Sequence, residues 1–157
     1  MLKLVKLMLI VFFAVGMAHV STNTLAAGTE IAPTANAVDP DFVAGKKSIE
    51  AKDWQSAIAS FSKVVAREPN SADAHNFLGY ANRNLGRMDE SFKQYGIALK
   101  LDPNHKGAHE YIGVAYLKVN QPEKAKEHLA SLAKICGKKC EEYEDLAKAI
   151  SGYQLKK

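Results

Sequence analysis

The feature that most constrains the fold of this chain is an internal repeat with a fixed period. The segment "EPNSADAHNFLGYA" (68–81) aligns with "DPNHKGAHEYIGVA" (102–115). Identical residues one period apart include Pro69 and Pro103, Ala74 and Ala108, His75 and His109, and Gly79 and Gly113; one further step back reaches Gly45. A fixed period of this size is typical of stacked helical units, because one unit alone cannot bury its apolar face.

Each period contains two predicted helices. Asp39 precedes a proline and can cap the first helix, and Asp53 can cap the second. Predicted breaks between helices fall at 52–53, at Gly86 and at 120–121. No segment alternates apolar and polar residues with a period of two, so the sequence predicts no strand.

These residues resemble the tetratricopeptide repeat family, whose unit of about 34 residues reads Trp-x2-Leu-Gly-x2-Tyr, then Ala-x3-Phe, then Pro. The slots of this pattern are occupied by Asp41, Ala44, Gly45, Ser48, Ala57, Phe61 and Pro69, then by His75, Leu78, Gly79, Asn82, Ser91, Tyr95 and Pro103, and then by His109, Ile112, Gly113, Tyr116, Ala125, Leu129 and Gly137. The resemblance covers about residues 38–137. It implies an all-α fold of three stacked helix–turn–helix units plus a C-terminal capping helix, as a short right-handed superhelical solenoid.

Packing explains the pattern. The repeated glycines let the two helices of a unit approach closely, while Phe61, Tyr95 and Leu129 are expected to fill the space between units. One period on from Gly113 lies Ala147, in a segment with the spacing of a first helix that has no partner. We therefore expect a repeat domain over 39–155, with units at about 38–71, 72–105 and 106–139 and a capping helix at 141–154.

The N-terminal segment has the layout of a signal peptide. A short basic start is followed by an uncharged apolar run (7–18) and a polar stretch that ends in small residues. We predict a signal peptide over 1–27, a disordered spacer over 28–38, and a periplasmic or secreted protein. An uncleaved membrane anchor is the alternative, although the apolar run is short of the roughly 20 residues that span a bilayer.

The composition and motifs favour no catalytic or nucleic-acid-binding function. Cleavage would remove Lys3 and Lys6, lowering the formal net charge from +4 to +2, and the remaining lysines are scattered among acids. Nucleophile elbows, phosphate loops and metal-protease motifs are missing from the sequence. His105 and His109 are four residues apart, but the sequence places no third metal ligand beside them. We therefore expect no enzyme activity, cofactor, metal or small-molecule substrate.

The two cysteines, Cys136 and Cys140, lie at the predicted corner between the third unit and its cap. Haem attachment requires two residues between the cysteines and a following histidine, and structural zinc requires four ligands. An oxidising compartment favours a disulfide that closes the turn. A redox-active pair is the alternative, because Lys138 and Lys139 would favour a thiolate.

The resemblance also implies a binding surface. In this family the first helices line a concave groove that binds peptides or partner helices. The corresponding residues here are Phe42, Lys46, Ile49, Asn76, Tyr80, Arg83, Asn84, Glu110, Val114 and Leu117. The two-carboxylate clamp of co-chaperone members is not visible, because Phe42, Phe77, Gly107 and Tyr111 occupy its slots. The predicted function is a non-catalytic interaction module or scaffold of the cell envelope that binds a protein or peptide, with thiol–disulfide exchange and self-association as alternatives.

Overall fold

The structure is a computed structural model and describes residues 39–154. These residues form seven helices: α1 (Pro40–Glu50), α2 (Trp54–Arg67), α3 (Ala72–Asn84), α4 (Met88–Leu101), α5 (Lys106–Lys118), α6 (Pro122–Ile135) and α7 (Glu141–Gln154). Helices α1–α2, α3–α4 and α5–α6 pair as three hairpins, and α7 packs on α5 and α6. The all-α repeat prediction is confirmed. The predicted signal peptide and spacer lie outside the described residues.

The three hairpins turn in the same way. Lys52, Gly86 and Asn120 have φ values of 57°, 76° and 59°, and each lies one repeat period from the next. This left-handed conformation is easy for glycine and tolerated by asparagine, whereas lysine adopts it at a cost of about 1 kcal/mol. The shared turn shows that the repeat extends to the backbone geometry.

Polar side chains fix the helix starts. The Asp39 carboxylate accepts hydrogen bonds from the backbone N–H groups of Asp41 and Phe42, and Asp53 accepts one from Ser56. Arg67, at the end of α2, lies 2.7 Å from Asp39 and 2.8 Å from Asp41. Ion pairs therefore join the two ends of the first hairpin, in addition to its turn.

Aromatic rings pack onto glycines in the first two hairpins. A Cβ atom added to Gly45 would lie 2.7 Å from the Phe61 ring, and one added to Gly79 would lie 2.6 Å from the Tyr95 ring. Phe61 and Tyr95 are completely buried. The repeat therefore requires glycine at this slot, since a methyl group would displace the ring.

The third hairpin corrects the expectation for Leu129. Leu129 is only half-buried, and the side chain over Gly113 is Leu146 of α7, at 2.7 Å from an added Cβ atom. A leucine is shorter than the phenylalanine or tyrosine of the earlier units, so α7 fills the space that Leu129 leaves. Leu146 is completely buried, which makes α7 part of the core of the third unit.

The two repeat histidines join each unit to the preceding turn. His75 Nε2 lies 3.1 Å from the Pro69 carbonyl oxygen, and His109 Nε2 lies 3.0 Å from that of Pro103. His109 Nδ1 also lies 2.9 Å from Nδ1 of His128, whose pKa is lowered to about 4 by burial and by His109. The His109 and His128 rings pack against each other within the third hairpin, with their centroids 5.1 Å apart.

Candidate functional site

The predicted binding residues lie on α1, α3 and α5, a surface that we call the first-helix face. They differ in how far their side chains are buried. Asn76, Arg83 and Leu117 are buried, while Phe42 and Ile49 are half-buried and pack against the core between α2 and α3. Tyr80, Glu110 and Val114 are half-buried, and Lys46 and Asn84 are exposed. A partner would therefore meet a narrower surface than the full set predicted from the sequence.

Three rings, Trp54, Tyr80 and Tyr111, form an aromatic ladder, of which Tyr80 and Tyr111 belong to the first-helix face. The Tyr80 ring is 5.9 Å from the Trp54 ring and 4.9 Å from the Tyr111 ring, measured between centroids. The three rings come from α2, α3 and α5, so consecutive hairpins meet at the ladder. Tyrosine and tryptophan offer large, rigid contact areas, and they are enriched where binding energy concentrates.

Arg83 packs against this ladder. Its guanidinium carbon lies 4.9 Å from the Tyr80 centroid and 5.6 Å from the Tyr111 centroid, and Nη1 donates a hydrogen bond to the Tyr111 carbonyl oxygen at 3.2 Å. Its Nε is buried and has no hydrogen-bond partner among the described residues. The arginine is held by stacking and by this hydrogen bond, and because Nε is buried, Nη2 is the donor left for a ligand carboxylate.

Glu110 places a carboxyl group near Arg83. Burial raises the pKa of Glu110 to about 7, and the neighbouring acids Asp145, Glu142 and Glu141 add to the effect, whereas Arg83 opposes it. Burial also raises the pKa of Tyr111 to about 12, which keeps its hydroxyl group protonated. The face thus combines the Arg83 guanidinium group, a Glu110 carboxyl group whose pKa is raised toward neutral, and the Tyr111 hydroxyl group.

The two predicted asparagines differ in what they can do. Asn76 is 3% exposed, and its Oδ1 is buried without a hydrogen-bond partner among the described residues. Asn84 is exposed, and its Nδ2 donates to the Tyr80 carbonyl oxygen at 2.9 Å, which leaves Oδ1 free to accept a hydrogen bond. Only Asn84 is placed to contact a peptide backbone.

Sequence reasoning missed two members of the ladder, Trp54 and Tyr111. A signal for Tyr111 was present, because Phe77 and Tyr111 are aromatic and occupy the same slot of consecutive units. A cationic side chain of the preceding unit lies over each ring. Lys46 Nζ is 5.0 Å from the Phe77 centroid, and Arg83 lies over Tyr111. Trp54 had no repeat partner to reveal it.

The cysteine pair forms a separate feature at the end of the fold. Cys136 and Cys140 are joined by a disulfide, and their Cα atoms are 5.9 Å apart. Gly137, between them, has a φ of 82° and follows the end of α6. Within residues 39–154, the one group of three metal-capable side chains is this pair with Glu142. Its sulfur atoms are bonded to each other, so they provide no thiolates for a metal.

None of the helices within the described range is both long and apolar enough to cross a membrane. The comparison with curated proteins finds no match.

Solved structures similar to this chain include two that are named as TPR domains. The "TPR2B-domain:pHsp70-complex of yeast Sti1" is 18% identical, with a TM-score of 0.66 over 74% of this chain and 95% of that one. The "First TPR of Spaghetti (RPAP3) bound to HSP90 peptide SRMEEVD" is 17% identical, with a TM-score of 0.62 over 70% and 89%. The structure titled "MamA R50E mutant" is 30% identical, with a TM-score of 0.55 over 64% and 76%.

The family model of the tetratricopeptide repeat matches residues 45–105, which include the turns at Lys52 and Gly86 and the ring contacts on Gly45 and Gly79. Together with the structural matches, this shows that the chain belongs to the tetratricopeptide repeat family.

Proposed function

We propose that the protein is a non-catalytic interaction module that binds a segment of a partner protein on its first-helix face. The observation that carries this proposal is the aromatic ladder with Arg83 stacked on it. Two structurally similar domains are named in complex with pHsp70 and with an HSP90 peptide, which supports a peptide-binding use of the same fold.

The chemistry of the face indicates the kind of segment. Tyr80 and Tyr111 suit an aromatic or aliphatic side chain, and the stacked guanidinium of Arg83 suits one carboxylate. Asn84 adds an acceptor for a backbone N–H group. The ligand is therefore an internal segment with an apolar residue next to an acidic one, bound as an extended peptide or a helix.

The place of action is also part of the proposal. Residues 1–27 have the layout of a signal peptide, so the module would act in the periplasm or outside the cell, where it would scaffold envelope proteins. Intact mass of the exported protein tests this point. A mass that includes residues 1–27 would contradict cleavage.

Affinity capture from native envelope extract under non-reducing conditions tests the binding site. We expect the unaltered chain to retain a partner that the Tyr80→Ala/Arg83→Ala variant loses. Arg83→Lys keeps the charge but lacks the planar fork, so it should retain less partner than the unaltered chain. Arg87→Ala, which removes an exposed arginine from a neighbouring turn, is the control and should retain the partner.

Melting temperatures of all variants must stay close to that of the unaltered chain for this comparison to report on binding. Equal retention by the unaltered chain and by Tyr80→Ala/Arg83→Ala would reject the first-helix face as the site.

Thiol–disulfide exchange is the second candidate function. The observation that favours it is the position of Lys138 and Lys139, which are exposed between the two half-buried cysteines. Equilibration with glutathione gives the reduction potential of the pair. A potential near that of exchange catalysts, about −270 to −120 mV, would support exchange, whereas one below about −300 mV would identify a structural bond.

A further inference from the structure

A second surface lies between α6 and α7, away from the first-helix face. It is a groove of about 400 Å³, which we call the α6–α7 groove. Leu129, Ala130, Ala133 and Tyr143 form its apolar floor. Lys126, Lys134 and Lys138 form its rim.

The repeat shows why this groove is open. On α2, Phe61 and Val65 pack against α3, and on α4, Tyr95 and Leu99 pack against α5. The residues at the same two slots of α6 are Leu129 and Ala133, which are smaller. Because α7 packs its Leu146 over Gly113 of α5, it leaves this face of α6 partly uncovered. Part of the surface that contacts a helix in two units is thus open in the third, although Leu129 and Tyr143 also pack against the core that contains Leu146.

The three charged residues that line the rim of the groove are lysines. Lys126 pairs with Glu123 on its own helix, at 2.9 Å. Lys134 and Lys138 are exposed, and no carboxylate of residues 39–154 lies within ion-pair distance of either. An apolar floor beside two lysines that have no ion pair within this range is complementary to a ligand with an apolar stripe flanked by acids.

We propose that the α6–α7 groove binds an acidic amphipathic helix of a partner protein. Apolar side chains of that helix would contact Leu129, Ala133 and Tyr143, and its carboxylates would pair with Lys134 and Lys138. Spacing of the apolar residues at i, i+3, i+4 and i+7 would present them on one side, as in other helix-in-groove complexes. This proposal does not depend on the first-helix face.

A synthetic peptide tests the proposal with the full chain. The probe is a fluorescent amphipathic helix of about four turns, with leucines on one face and glutamates elsewhere. Two matched peptides carry lysine in place of glutamate, or the same composition in an order that disperses the leucines. We expect saturable binding of the acidic amphipathic peptide alone, with backbone amide shifts at Ala130, Ala133 and Tyr143 in NMR spectra.

Charge reversal locates the site. Lys134→Glu/Lys138→Glu should weaken binding at least 10-fold, and Ala133→Glu should do the same by placing a charge on the floor. Lys93→Glu/Lys100→Glu makes the same charge change on α4, where Lys100 is the repeat counterpart of Lys134, and should bind within about twofold of the unaltered chain. Tyr80→Ala/Arg83→Ala should also bind normally.

Several results would overturn the proposal. Absence of saturable binding would do so, as would equal binding of the dispersed-leucine peptide or equal weakening by the two charge reversals. Sedimentation at two concentrations provides the last check. If the chain self-associates and Lys134→Glu/Lys138→Glu abolishes this, the groove binds a second copy instead of an acidic partner helix.

Discussion

Gly79 shows how one absent methyl group sets the distance between two helices. The Tyr95 ring lies where the Cβ atom of any other residue would be, and the same holds for Phe61 over Gly45. Gly96, on the neighbouring helix, has open space at its missing Cβ. Two glycines in consecutive helices thus have opposite consequences for stability.

Gly79→Ala and Gly96→Ala form a matched pair for measurement. We expect Gly79→Ala to lower the free energy of unfolding by about 1–3 kcal/mol, because its methyl group must displace the buried ring. Gly96→Ala should raise that free energy by about 0.5–1 kcal/mol, because alanine favours the helix. Denaturant unfolding of both variants checks this, and equal effects in the two would contradict the close packing at Gly79.

Glu110 makes stability depend on pH. Since its pKa is raised from 4.5 to about 7 in the folded chain, the folded state holds this proton more tightly than the unfolded state. The free energy of unfolding should therefore fall as the pH rises from about 4.5 to 7. The Glu110→Gln variant should lack this contribution. Its free energy of unfolding, relative to that of the unaltered chain, should therefore increase by about 1 kcal/mol between pH 5 and pH 8. Partial exposure of Glu110 keeps the effect below the full 1.36 kcal/mol per pKa unit. Denaturant titrations at both pH values measure it, and an unchanged difference would contradict the assignment.

The sequence predicted which residue types lie on the first-helix face better than it predicted their exposure. Tyr80 and Arg83 occupy groove slots of the family pattern, and they do lie together. Their contact with Tyr111 depends on how two helices approach, which the repeat spacing does not specify. For the same reason Asn76 and Leu117 were expected to face a ligand, whereas the neighbouring helices bury them.

At the scale of elements, α7 is the helix whose packing departs from the repeat. The phase of the repeat predicted a helix at 141–154, and α7 occupies that segment. It did not predict that Leu146 would take the position over Gly113, because that depends on the reach of Leu129 compared with phenylalanine or tyrosine. Here Leu146 of α7 fills the space that the short side chain of Leu129 on α6 leaves.

Leu146→Ala and Leu129→Ala test whether Leu146 has taken the place of Leu129 over Gly113. Leu146→Ala should lower the free energy of unfolding by about 2–5 kcal/mol, since it empties a completely buried site. Leu129→Ala removes the same atoms from a half-buried site, so we expect a smaller loss. Thermal and denaturant unfolding of the two variants give the comparison. A greater loss for Leu129→Ala would show that the repeat slot, and not α7, closes the third unit.

At the scale of the whole molecule, three hairpins and a cap form a stack whose units depend on their neighbours. The fixed period and the turn residues made this architecture predictable, because both are local in sequence. The α6–α7 groove was not predictable, because it results from three small differences from the other units that act together. Leu129 and Ala133 are smaller than the residues at the same slots, and Leu146 of α7 packs over Gly113.

The disulfide between Cys136 and Cys140 encloses Lys138 and Lys139, both exposed and both cleavage sites for trypsin-like proteases. A cut after either lysine would add one water molecule and leave the two fragments covalently joined. Because α7 would remain tethered by the disulfide, it would rebind α5 and α6 at a high effective concentration. A nicked molecule could therefore keep its fold, and electrophoresis would reveal the cut only after reduction.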